Sequence, residues 1–420
     1  MRKIYLLITL MFFTNLLFAQ DTKILTWQQC IDMANKYNQD LIVAKNNLAI
    51  AEYDYYISWN NYYPSADLKY GFNRKGSDVT EDNWDLSLNA SQTLYNFKDI
   101  SELKSKKAGI DKTVAQLTQS CAEVYYSIKD AFLQMCYAQE NITLLENIYT
   151  LRTQSSDIVR LQYEGGKESK GNMLRAQAQK HSAYTDVLNA KRDLNLARRT
   201  LAQVLGVDIN QDFTVNGELT LIEDKTEFDI DSKALEVPDV IISASNVKIA
   251  EYKVSYSKGD LYPNLSASAS VGLSDAQGPI PPSDSKSWSL GVSLNYPLFS
   301  GGITSVKNTI NSSKAALEQS RQVYKKTILS TKTSLQDVQM TIERTKDNVT
   351  TYQMFLEASI QRQKEANIKY LAGTMEFQTW QDIEQELVNN QISHLSALHN
   401  YNIALAKRDK MLGNTNGEIK

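Results

Sequence analysis

The chain has 420 residues, 22% of them charged, and a formal net charge of only −3. This near balance excludes the basic surplus typical of nucleic-acid-binding proteins, so we expect no nucleic acid among its partners. The mean hydropathy of −0.39 is too low for a protein that crosses a membrane with many helices, and no apolar run after residue 20 is long enough for even one.

The N-terminal residues 1–19 have the pattern of a secretory signal peptide. Arg2 and Lys3 precede a short apolar core, and Ala19 is the small residue expected at a cleavage site. The alternative, a retained anchor helix, is disfavoured because the core is short and Asn15 interrupts it. We therefore predict export from the cytoplasm.

The rest of the chain contains two copies of one sequence pattern. Residues 46–65 (NNLAIAEYDYYISWNNYYPS) match residues 245–264 (SNVKIAEYKVSYSKGDLYPN) without a gap, and NLARRTLAQVLG corresponds to NIALAKRDKMLG at the copy ends. Repeats this long indicate duplication of a whole structural unit. We predict a first repeat over 20–206, a linking equatorial segment over 207–236, a second repeat over 237–414 and a C-terminal tail over 415–420.

Each repeat is expected to begin with a helix. In the first, Thr26 and Gln29 have the spacing of a capping box, and one helix is predicted to run to about Asn60, before Pro64. In the second, the equivalent helix is predicted to end near Gly259.

Two runs of alternating apolar and polar residues follow each helix. This period of two is typical of strands with unlike faces, and runs of about ten residues can cross a bilayer when tilted. The predicted strands are 65–74, 84–95, 264–273 and 288–298.

Aromatic residues lie at both ends of these runs. Two aromatic girdles around an apolar band are typical of outer-membrane β-barrels. The small hydrophilic residues that alternate with the apolar ones along each strand suit a water-filled lumen. The alternative, a soluble antiparallel sheet with one buried face, explains neither feature. The predicted membrane-interface aromatics are Tyr62, Tyr63, Trp84, Tyr95, Tyr262, Trp288, Tyr296 and Phe299.

A very long helix is predicted after each pair of strands. No Pro occurs after Pro297, and no Gly occurs between Gly302 and Gly373. Apolar residues such as Leu335 and Ile342 recur every seven positions, which is the pattern of a coiled coil. The predicted long helices are 97–162 and 303–371, each about 100 Å long, and the predicted return helices are 168–206 and 375–413.

Four strands cannot close a barrel. Two chains would supply eight strands, whose interior side chains fill, whereas three would supply twelve, enough for a channel. We predict an internally duplicated α+β membrane protein with four transmembrane strands per chain. As a homotrimer it would form a 12-stranded barrel in outer-membrane lipid, continued into a long periplasmic α-helical coiled-coil barrel.

Several motifs match one known family. They are LTWQQCIDMANKYN near the start, YPLFSGG at a strand end, LQYEGG and IKYLAGT at the helix turns, and the two LG endings. As an ordered set in duplicate, they make the mature chain resemble the TolC-like outer-membrane efflux proteins. The resemblance implies a passive exit duct of a tripartite efflux or type I secretion system. Its partners would be a periplasmic adaptor (membrane fusion) protein and an inner-membrane pump of RND or ABC type.

The resemblance also implies roles for the turns between long and return helices. The turns would contact the adaptor and form the resting constriction. The implied adaptor-contacting residues are Tyr163, Gly165, Gly166, Tyr370 and Gly373, and the candidate constriction residues are Asp382, Thr379, Asn172 and Arg175. Met375 stands where the family can have a basic residue, so its charged network is only partly present. Arg175 could pair with Asp382; the alternative is that these are ordinary solvated residues.

Two other classes of function fit the sequence less well. An enzyme is disfavoured because the sequence has only three histidines and no phosphate-binding loop or nucleophile elbow, so we predict no catalytic, cofactor or metal site. A periplasmic coiled-coil adaptor or structural protein outside the membrane would explain the helices. It would leave the four alternating runs unexplained.

Overall fold

Most of the described chain is helical. The computed structural model describes residues 23–76, 81–210, 212–222, 229–275, 286–298 and 301–419. The predicted signal peptide and Phe299 lie outside these ranges. Within them, no helix combines the length and the apolar character needed to cross a bilayer.

The chain divides into two compact units, and neither is a single repeat. The helical unit comprises Met1–Leu41, Cys121–Glu227 and Gln336–Lys420, and the sheet unit comprises Ile42–Ser120 and Phe228–Leu335. Each unit therefore needs segments from both repeats.

The single entry helix predicted for the first repeat is two helices, α1 (Trp27–Tyr37) and α2 (Gln39–Trp59). They are separated by Asn38, which has an extended backbone. Its side chain donates to the carbonyl of Val204 (2.7 Å) and accepts from the N–H of Leu41 (3.0 Å). These hydrogen bonds compete with helical ones and stabilise the break.

The longest elements are helices of 68 and 67 residues, each followed by a return helix. The return helices are slightly shorter than predicted. They start after Ser169 and Glu376, whose backbones are extended. The remaining helices are α3 (Phe97–Glu164), α4 (Lys170–Leu205), α5 (Ile230–Glu236), α6 (Pro238–Lys258), α7 (Ser305–Leu371) and α8 (Phe377–Met411).

Within the described ranges the strands form two sheets. In the sheet unit the order is β2–β3–β5–β6, with each neighbour antiparallel, whereas β1 and β4 form a parallel pair in the helical unit. The last strand ends three residues before the predicted 298, because Pro297 cannot donate to a ladder. The strands are β1 (Lys23–Leu25), β2 (Ser65–Lys75), β3 (Glu81–Tyr95), β4 (Phe213–Val215), β5 (Asn264–Asp275) and β6 (Lys286–Asn295).

One face of the four-stranded sheet is apolar across all four strands. A representative row of aligned residues is Leu68, Leu88, Val271 and Trp288. The row on the opposite face is polar and contains Asp67, Asn89, Ser270 and Ser289. Every residue of β6 is exposed, and Trp288 has 78% of its surface accessible. The described chain therefore leaves much of this apolar face uncovered.

The C-terminal tail packs against the first helix of the helical unit. The indole Nε1 of Trp27 donates to Glu418 Oε2, and the amide of Asn35 donates to the carbonyl of Glu418, both at 2.9 Å. The Ile419 side chain is buried. The tail is thus part of the fold.

Candidate functional site: the paired helical tips

Both long helices end in the same left-handed turn. Gly166 has a φ of +72° and Gly373 a φ of +76°, a region that residues with a Cβ rarely adopt. In each turn the N–H after the glycine donates to the carbonyl five residues earlier, at 2.8 Å in the first and 2.9 Å in the second. These bonds satisfy helix-end carbonyls and turn the chain into the return helix.

One hydrophobic cluster, here called the tip cluster, joins the two turns. Its side chains come from α3, α4, α7 and α8. The Tyr370 and Trp380 rings stack with centroids 4.2 Å apart and 6° between their planes. The ends of the two helical hairpins thus form one packed body. The buried members are Val159, Ala176, Ala366, Tyr370, Phe377, Trp380 and Ile383.

A carboxylate from the first turn binds the second. The Tyr370 hydroxyl donates to Glu168 Oε1 (3.1 Å), and the Asn172 amide donates to Glu168 Oε2 (2.8 Å). Burial raises the pKa of the Tyr370 phenol well above its ordinary value, and the charge of Glu168 and this hydrogen bond raise it further. The phenol therefore stays protonated and remains the donor. Sequence reasoning missed Glu168, which belongs to no recognised motif.

The predicted adaptor-contacting residues differ in exposure. Gly165, Gly166 and Gly373 are exposed, and Tyr163 is half-buried. Tyr370, at 3% exposure, lies inside the tip cluster. In this arrangement Tyr370 supports the tip from within instead of offering a surface to a partner.

The candidate constriction residues lie on two neighbouring helices. Asp382, Thr379 and Arg175 are exposed, and Asn172 is half-buried. Arg175 donates to Gln378 Oε1 (2.6 Å), and the Gln378 amide donates to Asp382 Oδ1 (2.7 Å). Among the described side chains, the suggested direct pair of Arg175 and Asp382 is thus replaced by a relay through Gln378.

A buried ion pair lies next to the tip cluster. Arg152 on α3 donates to Glu384 Oε1 on α8 at 2.5 Å, and the Ser155 hydroxyl donates to Glu384 Oε2 at 2.6 Å. Burial raises the pKa of Glu384, and the Arg152 charge and both hydrogen bonds oppose that shift. Sequence reasoning missed this pair. The sequence does contain one signal for it: Glu384 falls on the apolar stripe of α8, between Trp380 and Val388.

The predicted interface aromatics occupy the ends of the sheet. Trp84 packs on Phe72 with ring centroids 4.4 Å apart, and Tyr262 stacks on Phe97 at 4.6 Å. Tyr62 is half-buried against Trp59. The exposed members are Tyr63, Tyr95, Tyr262, Trp288 and Tyr296.

A profile described as outer membrane efflux protein matches residues 30–207 and 231–414, which together cover most of the chain and both repeats. The chain belongs to this outer membrane efflux protein family. Membership confirms the resemblance to TolC-like proteins. It also confirms the predicted localisation in the outer membrane with an extension into the periplasm.

Named relatives of this efflux family are distant in sequence. The chain is 21% identical to the outer membrane efflux protein BepC of Brucella suis over 69% of its own length and 63% of the relative. It is 23% identical to the alkaline protease secretion protein AprF of Pseudomonas aeruginosa over 56% of its own length and 54% of the relative. The matched part thus spans less than two thirds of each curated relative.

The fold is closely similar to that of a solved outer membrane channel. The outer membrane channel MtrE of Neisseria gonorrhoeae superposes with a TM-score of 0.83 at 20% identity, covering 93% of this chain and 90% of MtrE. The similarity establishes a mostly helical channel fold. Outer-membrane localisation does not support the alternative of an adaptor that stays outside the membrane.

Proposed function

We propose that this efflux-family chain is a homotrimeric exit duct of a tripartite efflux or type I secretion system. It passively carries small molecules or proteins across the outer membrane. The single observation that carries the proposal is the four-stranded sheet, which has an exposed apolar face and two open edges in the described chain.

The strand directions support closure between identical chains. With four alternating strands, β2 and β6 run in opposite directions. The β6 edge of one chain can therefore pair antiparallel with the β2 edge of the next, and a closed ring removes every open edge. Three chains give twelve strands, enough for a water-filled channel.

The two faces of the sheet support insertion in lipid. The apolar face, with Leu68, Leu290 and Val292 each more than two thirds exposed, would contact hydrocarbon. The opposite face, with serine hydroxyls paired across strands at Ser266 and Ser293 (2.8 Å), would line the lumen. The aromatic residues at the sheet ends would lie at the membrane interfaces.

The paired tips are proposed as the periplasmic entrance. The exposed surfaces of Gly165, Gly166 and Gly373, with Tyr163, would contact a periplasmic adaptor bound to an inner-membrane pump of RND or ABC type. Asp382, on the exposed side of α8, would face the constriction with Thr379. Arg175 and Asn172 would lie on the neighbouring α4.

Sedimentation of the detergent-purified protein at matched density tests the assembly. We expect the protein mass of three chains, because the β2 and β6 edges are satisfied only in a closed ring and twelve strands, unlike eight, leave room for a channel. A mass of one or two chains under conditions that preserve secondary structure would contradict the proposal.

A further inference from the structure

A cavity of about 410 Å³ lies in the helical unit between α3, α7 and α8. This volume falls within the range of about 300–1,000 Å³ that is typical of small-molecule pockets. Gln391, one of its lining residues, follows Asp382 by nine residues, which is about two and a half helical turns. The two side chains therefore lie on opposite faces of α8, and the cavity is separate from the proposed constriction.

The apolar side of the cavity is formed by leucines from all three helices. Leu144 lies on α3, Leu356 on α7 and Leu395 on α8. Leu395 is buried, and Leu144 also packs against the buried cluster that contains Ile148 and Val388. This side is thus continuous with the core between the helices, and it suits a hydrocarbon group.

The polar side contains a carboxylate that the linking segment holds in place. Glu140 Oε1 accepts a hydrogen bond from the N–H of Leu219 at 3.1 Å. The neighbouring Gln139 fixes the same segment, because its side chain accepts from the N–H of Val215 and donates to the Val215 carbonyl, both at 3.0 Å. Within the described ranges, Oε2 of Glu140 has no hydrogen-bond or ion-pair partner.

An amide oxygen on the same side also lacks a donor. Oε1 of Gln391 is buried and accepts no hydrogen bond from any residue that the structure describes. His394 lies one turn further along α8 and also lines the cavity. Burial lowers the pKa of its imidazole, which therefore adds no positive charge at neutral pH. A buried acceptor without a partner is unfavourable, so an occupant that donates to Gln391 would be stabilised.

These groups together define the chemistry of an occupant. Among the described residues that line the cavity, Glu140 carries the one formal charge, and none is lysine or arginine. We propose that the cavity binds a small organic cation. Its ammonium group donates to Glu140 Oε2 and Gln391 Oε1, and its hydrocarbon part lies against the three leucines. This binding requires neither a closed barrel nor a conducting channel, so it is tested separately from the proposed exit duct.

Titration calorimetry of the detergent-purified full chain tests the proposal, with n-butylammonium chloride as the probe. The comparison probe is 1-butanol, which has the same hydrocarbon and a hydroxyl donor but no charge. We expect saturable binding of butylammonium that is at least about tenfold tighter than that of 1-butanol, because only the cation can pair with the Glu140 carboxylate.

Matched variants locate the binding. Glu140→Gln removes the charge but keeps an oxygen for the N–H of Leu219, and it should weaken butylammonium binding by about tenfold or more. Glu146→Gln is the control, because Glu146 lies on α3 outside the cavity and pairs with Lys191 at 3.0 Å, with side chains 52% and 54% exposed. The control should bind butylammonium as the unmodified protein does.

Gln391→Met is a second variant, which decides the matter if Glu140→Gln fails to assemble. It removes the unpartnered oxygen and nearly keeps the side-chain volume, so we expect an unchanged or higher Tm and butylammonium binding that is weaker by about fivefold or more. The proposal is overturned if the unmodified protein shows no saturable binding, or if it binds butylammonium and 1-butanol equally. Equal affinities in Glu140→Gln and Glu146→Gln, or unchanged affinity in Gln391→Met, would also overturn it.

Discussion

The two helical tips have the same backbone turn but different side chains. Positions 207 residues apart correspond: Tyr163 is half-buried where Tyr370 is buried, and Met173 is half-buried where Trp380 is buried. An exposed lysine in the first repeat takes the place of buried Phe377 in the second. The second repeat therefore supplies most of the tip cluster, and the first supplies the polar acceptor Glu168.

This difference shows how a duplicated unit can divide its roles. The backbone turn is retained in both copies because it depends on one glycine with positive φ. The side chains are free to specialise once the two tips pack against each other. Equivalent substitutions in the two repeats should therefore have unequal effects wherever side-chain packing matters, and equal effects where only the backbone matters.

Replacing the stacked tryptophan should have the largest effect on stability. We expect Trp380→Ala to lower the free energy of unfolding by about 3–5 kcal/mol, because it empties the centre of the tip cluster. The equivalent Met173→Ala should cost about 1 kcal/mol, since Met173 is only half-buried. Denaturant unfolding in detergent, followed by helical circular dichroism, measures both; equal losses would contradict the unequal roles.

Removing the hydroxyl of Tyr370 should have an intermediate effect on the free energy of unfolding. Tyr370→Phe deletes the hydrogen bond to the Glu168 carboxylate and should cost about 1–2 kcal/mol. Tyr163→Phe should change stability by less than about 0.5 kcal/mol, because Tyr163 is only half-buried and is not a member of the tip cluster. The same unfolding experiment compares them. If Tyr163→Phe and Tyr370→Phe lower the free energy of unfolding equally, the hydrogen bond between Tyr370 and Glu168 does not stabilise the paired tips.

Alanine substitutions at the two turn glycines should lower the free energy of unfolding by equal amounts. Gly166→Ala and Gly373→Ala should each cost about 1 kcal/mol, because both positions have positive φ. An added Cβ would meet nothing within 4 Å at either site, so backbone strain is the only expected cause. A clear difference between the two losses of unfolding free energy would show that packing also decides the turns.

Much of this fold could be predicted from local sequence. Alternating residues predict the strands, and the glycine pairs with long proline-free stretches predict the hairpins and their tips. The break at Asn38 could not be predicted, because the carbonyl that binds its side chain belongs to Val204 in another helix. The pair of Arg152 and Glu384 escaped for the same reason, since its partners are 232 residues apart.

The predicted constriction shows what sequence alone could not predict at the candidate site. Asp382 and Arg175 could be located on their helices by alignment of the repeats. The hydrogen bonds from Arg175 to Gln378 and from Gln378 to Asp382 depend on how α4 and α8 pack, which local sequence patterns do not reveal.

Single-channel recording in planar bilayers tests the central claim that the chain forms a conducting duct with its constriction at the tips. We predict that the unmodified protein forms discrete channels and that Asp382→Ala changes their conductance or their block by cations. Glu386→Ala, which removes a partly exposed carboxylate one turn along α8, should leave both unchanged. Absence of channels, or identical values for Asp382→Ala and the unmodified protein, would contradict the account.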